Sequence, residues 1–314
     1  MPTVSHTLGP RSLPKISTIE NGPISSLQPY GTLLFASSII AMVILANVLE
    51  RWLLRAIYGK IYTDLQLPGN EKRRRSFTYY HVGAINTFVV LCVGFYPAMK
   101  FIAGSAVLST DMAKGSQVQV GDLLFIIAQM YPAYYTFELC YRTQFASPLG
   151  IAHHTGLIAI MQTSLLLFSD WEKHPEATIE FYMCMIWGAF DAVVEFPIYI
   201  SMIIWRVKRN NHKLLAYLTA GLCVWVIVGA STEVAVTIYL LHKSWQRWGT
   251  VWKFVTPFVF SLWIATQLYG ASRLFVMSQS ERRKCNMGTL RETESVVEII
   301  GRIKSKEDTA SMSS

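Results

Sequence analysis

Charge is scarce in this chain. Asp, Glu, Lys and Arg make up only 15% of its 314 residues, where water-soluble domains carry about 25%. Paired-cysteine motifs are missing as well: Cys92, Cys140, Cys184, Cys223 and Cys285 include no CxxC, which argues against a disulfide framework and a zinc site. No HxxxH or HxxHH box occurs, so the imidazoles that a membrane di-iron enzyme gathers are absent. No GxSxG elbow supports a serine hydrolase. No lysine lies between Phe254 and Met277, where a retinal Schiff base would need one, and no NPxxY-like stretch there supports a seven-helix receptor. Phosphate-binding glycine motifs and Asn-x-Ser/Thr sites are missing too.

What remains is oil. Hydrophobic residues reach 52% and the mean hydropathy is +0.33. Apolar runs long enough to cross roughly 30 Å of hydrocarbon at ~1.5 Å per residue recur along the sequence. Seven spans are expected: Tyr30 to Leu49, Phe77 to Met99, Val120 to Tyr141, Leu149 to Phe168, Thr178 to Trp205, Leu214 to Leu241 and Phe254 to Met277. The segment FIAGSAVL within 100–119 is too short to cross and reads as interfacial or re-entrant. Residues 1–29, with five prolines, read as disordered. Residues 30–54 hold the first span and 281–314 form a polar tail, where Val296, Ile299, Ile300 and Ile303 share one helical face.

The net charge of +8 does not imply nucleic acid, because the basic excess sits in short loops between apolar runs. Arg51, Arg55, Lys60 and Lys72 to Arg75 follow the first span, and Arg142 the third. Arg206, Lys208, Arg209 and Lys213 follow the fifth, and Arg282, Arg283 and Lys284 the last. All fall on one side, which the positive-inside rule makes cytosolic, with the amino terminus lumenal or extracellular. Lys243, Arg247 and Lys253 stand against the pattern on the far side.

Ionisable residues inside spans carry the functional signal, since each costs a few kcal/mol unless paired or facing a cavity. Counting from the cytosolic ends places His81, Glu138, the pair His153 and His154, Glu195 and Asp191 in one layer contributed by four helices. Asp191 and Glu195 share a helix face, as do Tyr134, Glu138 and Arg142. Each has a plainer reading. His81 near a helix end can simply bond a carbonyl, and Glu138 with Arg142 can be an interfacial ion pair. Glu233 lies towards the opposite side, where it can pair with Lys243 or line a separate entrance.

RRRSFTYYHVGAINTF, GDLLFIIAQMYPAYYTFELCYR, IAHHTGLIAIMQ and WGAFDAVVEFPIYISMIIWR, on successive spans, resemble the TLC domain shared by translocating-chain-associating membrane proteins and ceramide synthases. The likeness covers residues 70–280. It implies an all-α bundle of six helices around a lipid-accessible cavity, preceded by one extra span, in the endoplasmic reticulum. It also implies a His pair that takes part in acyl transfer, matched here by His153 and His154, with acyl-CoA as co-substrate and no metal. Ceramide synthases continue with a His-Asp-x-x-Asp stretch, where this chain reads WGAFD and keeps only Asp191. Two readings follow. One is an acyltransferase with His153, His154 and Asp191 as catalytic groups. Glu138, Glu195, Tyr134, Arg142 and His81 would then contact a membrane lipid or acyl chain, and Arg142, Arg73 to Arg75 and Arg206 would draw in an anionic head. The other is a non-catalytic lipid-binding regulator or membrane chaperone that uses the same cavity.

Overall fold

The computed structural model describes residues 22–311 apart from 143, 145 and 171; the side chains of 175, 176 and those from 288 onward are outside the description. The expected disorder of residues 1–21 and the apolar tail face formed by Val296, Ile299, Ile300 and Ile303 therefore lie outside the described residues. Among the described residues the chain is all-α. Helix α1 (Gly31–Val48) passes through a π-helical turn (Leu49–Leu53) into α2 (Leu54–Tyr58), and a short α3 (Lys60–Leu65) follows. Six long helices complete the fold: α4 (Glu71–Ile102), α5 (Val120–Arg142), α6 (Pro148–Phe168), α7 (Pro175–Val207), α8 (His212–Ser244) and α9 (Trp252–Ser311).

Among the described residues six segments are long and apolar enough to cross a membrane: Gln28–Tyr58, Glu71–Ile102, Pro148–Phe168, Ala177–Val207, His212–Arg247 and Trp252–Met287. The third expected span, α5, forms as a helix of 23 residues but is not among them. Its composition explains why. Asp122, Gln129, Tyr131, Tyr134, Tyr135 and Glu138 are all buried in it, and a helix walled in by other helices need not be apolar all round. It packs against α1, α4, α6 and α7. Lipid never has to accept these side chains, because neighbouring helices do.

The six long helices close a ring in the order α4, α5, α6, α9, α8, α7 and back to α4, while α6 also packs on α7. Helix α1 stands outside this ring against α5, burying Met42 and Ala46 and leaving Leu33, Ile40 and Ile44 exposed. Exposed Phe88, Phe95, Val224, Val228, Phe254 and Phe258 extend the apolar outer surface around the ring. Its interior is filled by large side chains, with Trp187, Trp263, Tyr134 and Tyr135 fully enclosed. One cavity between helices is a narrow apolar crevice of about 40 Å³, lined by Gly94, Ala98, Ala128, Tyr131, Gly188 and Ala192 among others.

Two boundaries differ from the sequence expectation. Residues 24–30, read as part of a disordered leader, pack on the start of α5. Ile24 and Ser25 are buried, and the Ser25 hydroxyl donates to Asp122 Oδ1 at 2.6 Å. Proline richness masked a hydrogen-bonded turn that only a distant aspartate completes. At the other end, α9 runs on through Ser311, well past the end of the expected span at Met277, since nothing in the polar sequence after the span breaks a helix. Segment 103–119 is a folded non-helical cap, with Gly121 N–H bonded to the Leu108 carbonyl at 2.8 Å.

Gly121 is where this cap closes on α5. A Cβ there would lie 1.9 Å from the Ile24 carbonyl oxygen and 3.0 Å from that of Leu108, both backbone atoms that cannot swing aside. Gly121→Ala should therefore destabilise the protein by about 1–3 kcal/mol, read as a lowered midpoint of thermal unfolding in detergent. Gly221→Ala, where a Cβ meets nothing within 4 Å, should leave that midpoint unchanged or raise it.

Candidate functional site

Helix α6 starts where Ser147 caps it: the Gly150 N–H donates to the Ser147 hydroxyl at 3.0 Å, with Pro148 in the first turn, both strong start signals. That start fixes how deep His153 and His154 stand. Neighbouring helical residues diverge by about 100°, and the two rings accordingly turn towards different helices. His154 lies over the Tyr135 ring, with centroids 4.5 Å apart, and its Nδ1 is 3.5 Å from Glu138 Oε2. His153 meets the Trp263 ring of α9 edge-on at 4.7 Å. The two imidazoles remain in contact, 5.2 Å between centroids.

Carboxylates from three helices surround this pair. Tyr135 donates to Asp191 Oδ2 at 2.6 Å, so Asp191 reaches the histidines through a phenol. Glu138 accepts from the Tyr79 hydroxyl at 2.7 Å and from Arg142 at 3.2 Å. The Arg142 guanidinium also stacks over Tyr79 at 4.1 Å. Glu195 accepts from Tyr199 at 2.8 Å, and Tyr134 in turn donates to Tyr199 at 3.0 Å. On the far side, the Trp263 indole N–H donates to Glu233 at 3.1 Å. Each link is a charge-assisted hydrogen bond or a phenol relay inside an apolar shell, where such bonds gain strength.

The structure therefore gathers His153, His154, Asp191, Glu138, Glu195, Tyr134 and Arg142 into one layer built from α4, α5, α6, α7, α8 and α9. His81 is elsewhere. It faces α2, with Nε2 2.9 Å from the Tyr58 hydroxyl and Nδ1 2.8 Å from the Phe77 carbonyl, the plainer of its two readings. Neither Asp191 nor Glu195 bonds a histidine; Glu138 is the carboxylate beside His154. Glu233 belongs to the layer, contrary to the expectation that it faces the opposite side, because Trp263 bridges it to His153. Lys243 instead lies over Tyr239 at 5.6 Å.

Three features of the layer escaped sequence reasoning. Tyr79 and Tyr199 complete it, and Trp263 ties it to α9. A signal for one of them was present, since Tyr199 follows Glu195 by four residues just as Glu138 follows Tyr134, which stacks phenols and carboxylates on one helix face. Trp263 gave no comparable signal. Neither ring nitrogen of His153 has a hydrogen-bond partner among the described residues, whereas Oε1 of Glu233 is buried and unpartnered. Two cavities are formed by other residues than the pair: the crevice between helices is lined in part by Tyr131, and a basin of about 900 Å³ lies at the basic end of the bundle. Among the described residues no three metal-ligating side chains converge.

Glu138→Ala would enclose Arg142 without its counter-charge and should cost about 3 kcal/mol. Glu138→Gln also removes the counter-charge but keeps an acceptor for Tyr79 and should cost about 1 kcal/mol less. Denaturant unfolding in mixed micelles would order the two variants; equal loss in both would mean that the acceptor for Tyr79 is immaterial and that the lost charge accounts for the whole cost.

Comparison of the chain with family models, with curated proteins and with solved structures gives no match.

Proposed function

We propose that this chain is a TLC-like membrane enzyme of lipid metabolism, resident in the endoplasmic reticulum, that transfers an acyl group with His153 as its base. One observation carries the reading: an imidazole with both nitrogens unbonded among the described residues stands within a layer whose other polar groups are held in place. A base must be free at the nitrogen that takes the proton, and its neighbours must not move. His153 meets both conditions, wedged between His154 and Trp263.

The chemistry would run as follows. The acceptor's hydroxyl or amine proton passes to His153 as its oxygen or nitrogen bonds the thioester carbonyl carbon of an acyl-CoA. The carbon–sulfur bond then breaks, and the leaving thiolate recovers the proton from the imidazolium. His154, set by Glu138 and Tyr135, positions His153, and Asp191 fixes Tyr135. The crevice lined in part by Tyr131 would take part of the acyl chain; Tyr131 is one helical turn from Tyr135 and donates to the Gly188 carbonyl at 2.9 Å. In this reading the basic end of the bundle is cytosolic and the amino terminus lumenal.

A second reading, a non-catalytic lipid binder, draws on a different observation. The layer is packed against itself, with phenols and an indole occupying its carboxylates. Such a network can lock helices together without chemistry.

Turnover separates the two. Purified protein supplied with radiolabelled acyl-CoA and a panel of sphingoid bases and lipid alcohols should release an acylated product. His153→Gln should cut the rate by about 10²–10⁴-fold, the usual range for a general base. Undiminished turnover in a His153→Ala, His154→Ala double variant would remove the proposed base. No product from any donor, together with an intact lipid that co-purifies, would favour the binder.

A further inference from the structure

At the end of the bundle where α3 meets the α7–α8 turn, a basin of about 900 Å³ opens to the surface. Its lining is heavily basic: Arg73, Arg206, Lys208, Arg209, Lys213 and Lys284 all contribute, and Asp64 is the one acidic residue in the wall. The local acid, Glu281, is already taken, since it accepts from His212 at 2.6 Å and pairs with Lys284. Arg73, Lys208, Arg209 and Lys213 have no ion-pair partner among the described residues. So much like charge around one concavity repels itself unless an anion neutralises it.

The chain around the basin is folded to hold these cations close. Lys208 to Asn211 form the turn between α7 and α8, and the Asn211 side chain caps α8 through the Leu214 N–H at 3.1 Å. Arg73 comes from the first turn of α4, and Lys284 from the extended end of α9. Arg206 is the least exposed of the set and its Nε is buried without a partner. The sequence-based expectation assigned the anion to Arg142 and to Arg73 through Arg75 as well as Arg206. Three of these are engaged elsewhere: Arg142 with Glu138, Arg75 with Glu71, and Arg74 beside Glu50.

We propose that this basin binds a ligand carrying clustered phosphates. Several phosphate oxygens can each take a separate cation, which a single carboxylate cannot do for a wall this broad, and arginine supplies forked donors suited to phosphate. A contact route leads inward from the site. The Arg206 and Arg142 guanidiniums both lie 5.9 Å from the Tyr80 ring centre, and Arg142 bonds Glu138 beside His154. An anion on Arg206 would thus be felt two contacts from the polar layer. The site stands whether or not the layer performs acyl transfer. The phosphates could belong to a membrane lipid headgroup or to a soluble nucleotide, and the chemistry of recognition is shared.

Titration of the purified full chain in nanodiscs of phosphatidylcholine with inorganic pyrophosphate, followed by calorimetry, tests the proposal without any turnover. Saturable binding is expected, and an Arg206→Gln, Arg209→Gln, Lys213→Gln variant should bind about tenfold or more weakly. Arg209→Gln and Lys213→Gln singly, at exposed positions, should keep the wild-type unfolding midpoint while each weakens binding about twofold to fivefold. Competition then identifies the source. Displacement of pyrophosphate by nanodiscs containing a bisphosphorylated inositol lipid indicates a headgroup, and displacement by adenosine 3′,5′-bisphosphate indicates a nucleotide. No saturable binding, equal affinity in the triple variant, or displacement by neither competitor would overturn the proposal.

Discussion

A carboxylate inside an apolar bundle has no water to solvate it, so every acidic side chain there must find a donor from the protein. This constraint organises the interior. Glu138 is served by Tyr79 and Arg142, Asp191 by Tyr135, Glu195 by Tyr199 and Glu233 by Trp263. Each donor except Arg142 and Tyr199 comes from a different helix than its acceptor. The need for donors therefore becomes a set of ties between helices that apolar packing in lipid, where tails compete equally well, would not specify. Gly83 shows how tightly the layer is drawn: a Cβ there would stand 2.6 Å from the Tyr134 hydroxyl.

The same constraint sets the role of α5. It supplies Tyr131, Tyr134, Tyr135, Glu138 and Arg142, too many polar groups for a lipid-facing helix, and it is correspondingly enclosed. A second clamp forms where α1 gives way to its π-helical turn. Glu50 there accepts from the Tyr141 hydroxyl at 2.5 Å and from Thr78 at 3.2 Å, with Arg74 at 4.0 Å. π-Helical turns re-aim one side chain out of helical register, and here the turn aims a carboxylate at α4 and α5. The peripheral helix is thus tied to the ring by polar contacts as well as by Met42 and Ala46.

Hydropathy was enough to mark the helices and their order, because a bilayer tolerates few other solutions for a spanning chain. Depth counting also brought His153, His154, Asp191, Glu138 and Glu195 to one level, since helical rise is fixed. Rotation was harder to read. Depth places His81 beside the others, but its face of α4 turns to Tyr58, and only packing decides a helix's rotation. Glu233 was misjudged because depth counting does not report the indole of Trp263, which donates to Glu233 and meets the His153 ring. The buried start at Ile24 and Ser25 depended on Asp122, 97 residues beyond Ser25, a distance that no local pattern reports.

What the site can do chemically rests on the rigidity of these ties. His153 can serve as a base, or line a lipid site, only if Tyr135, His154 and Trp263 hold it in place, and Tyr135 is held in turn by Asp191. A double-mutant cycle between Tyr135→Phe and Asp191→Asn, read by unfolding of the full chain in mixed micelles, measures that tie directly. The account predicts a coupling of about 1–2 kcal/mol, as expected for partners in one buried network. Additive losses, with coupling near zero, would mean that the phenol and the carboxylate do not hold each other and that the polar layer is not the frame of the bundle.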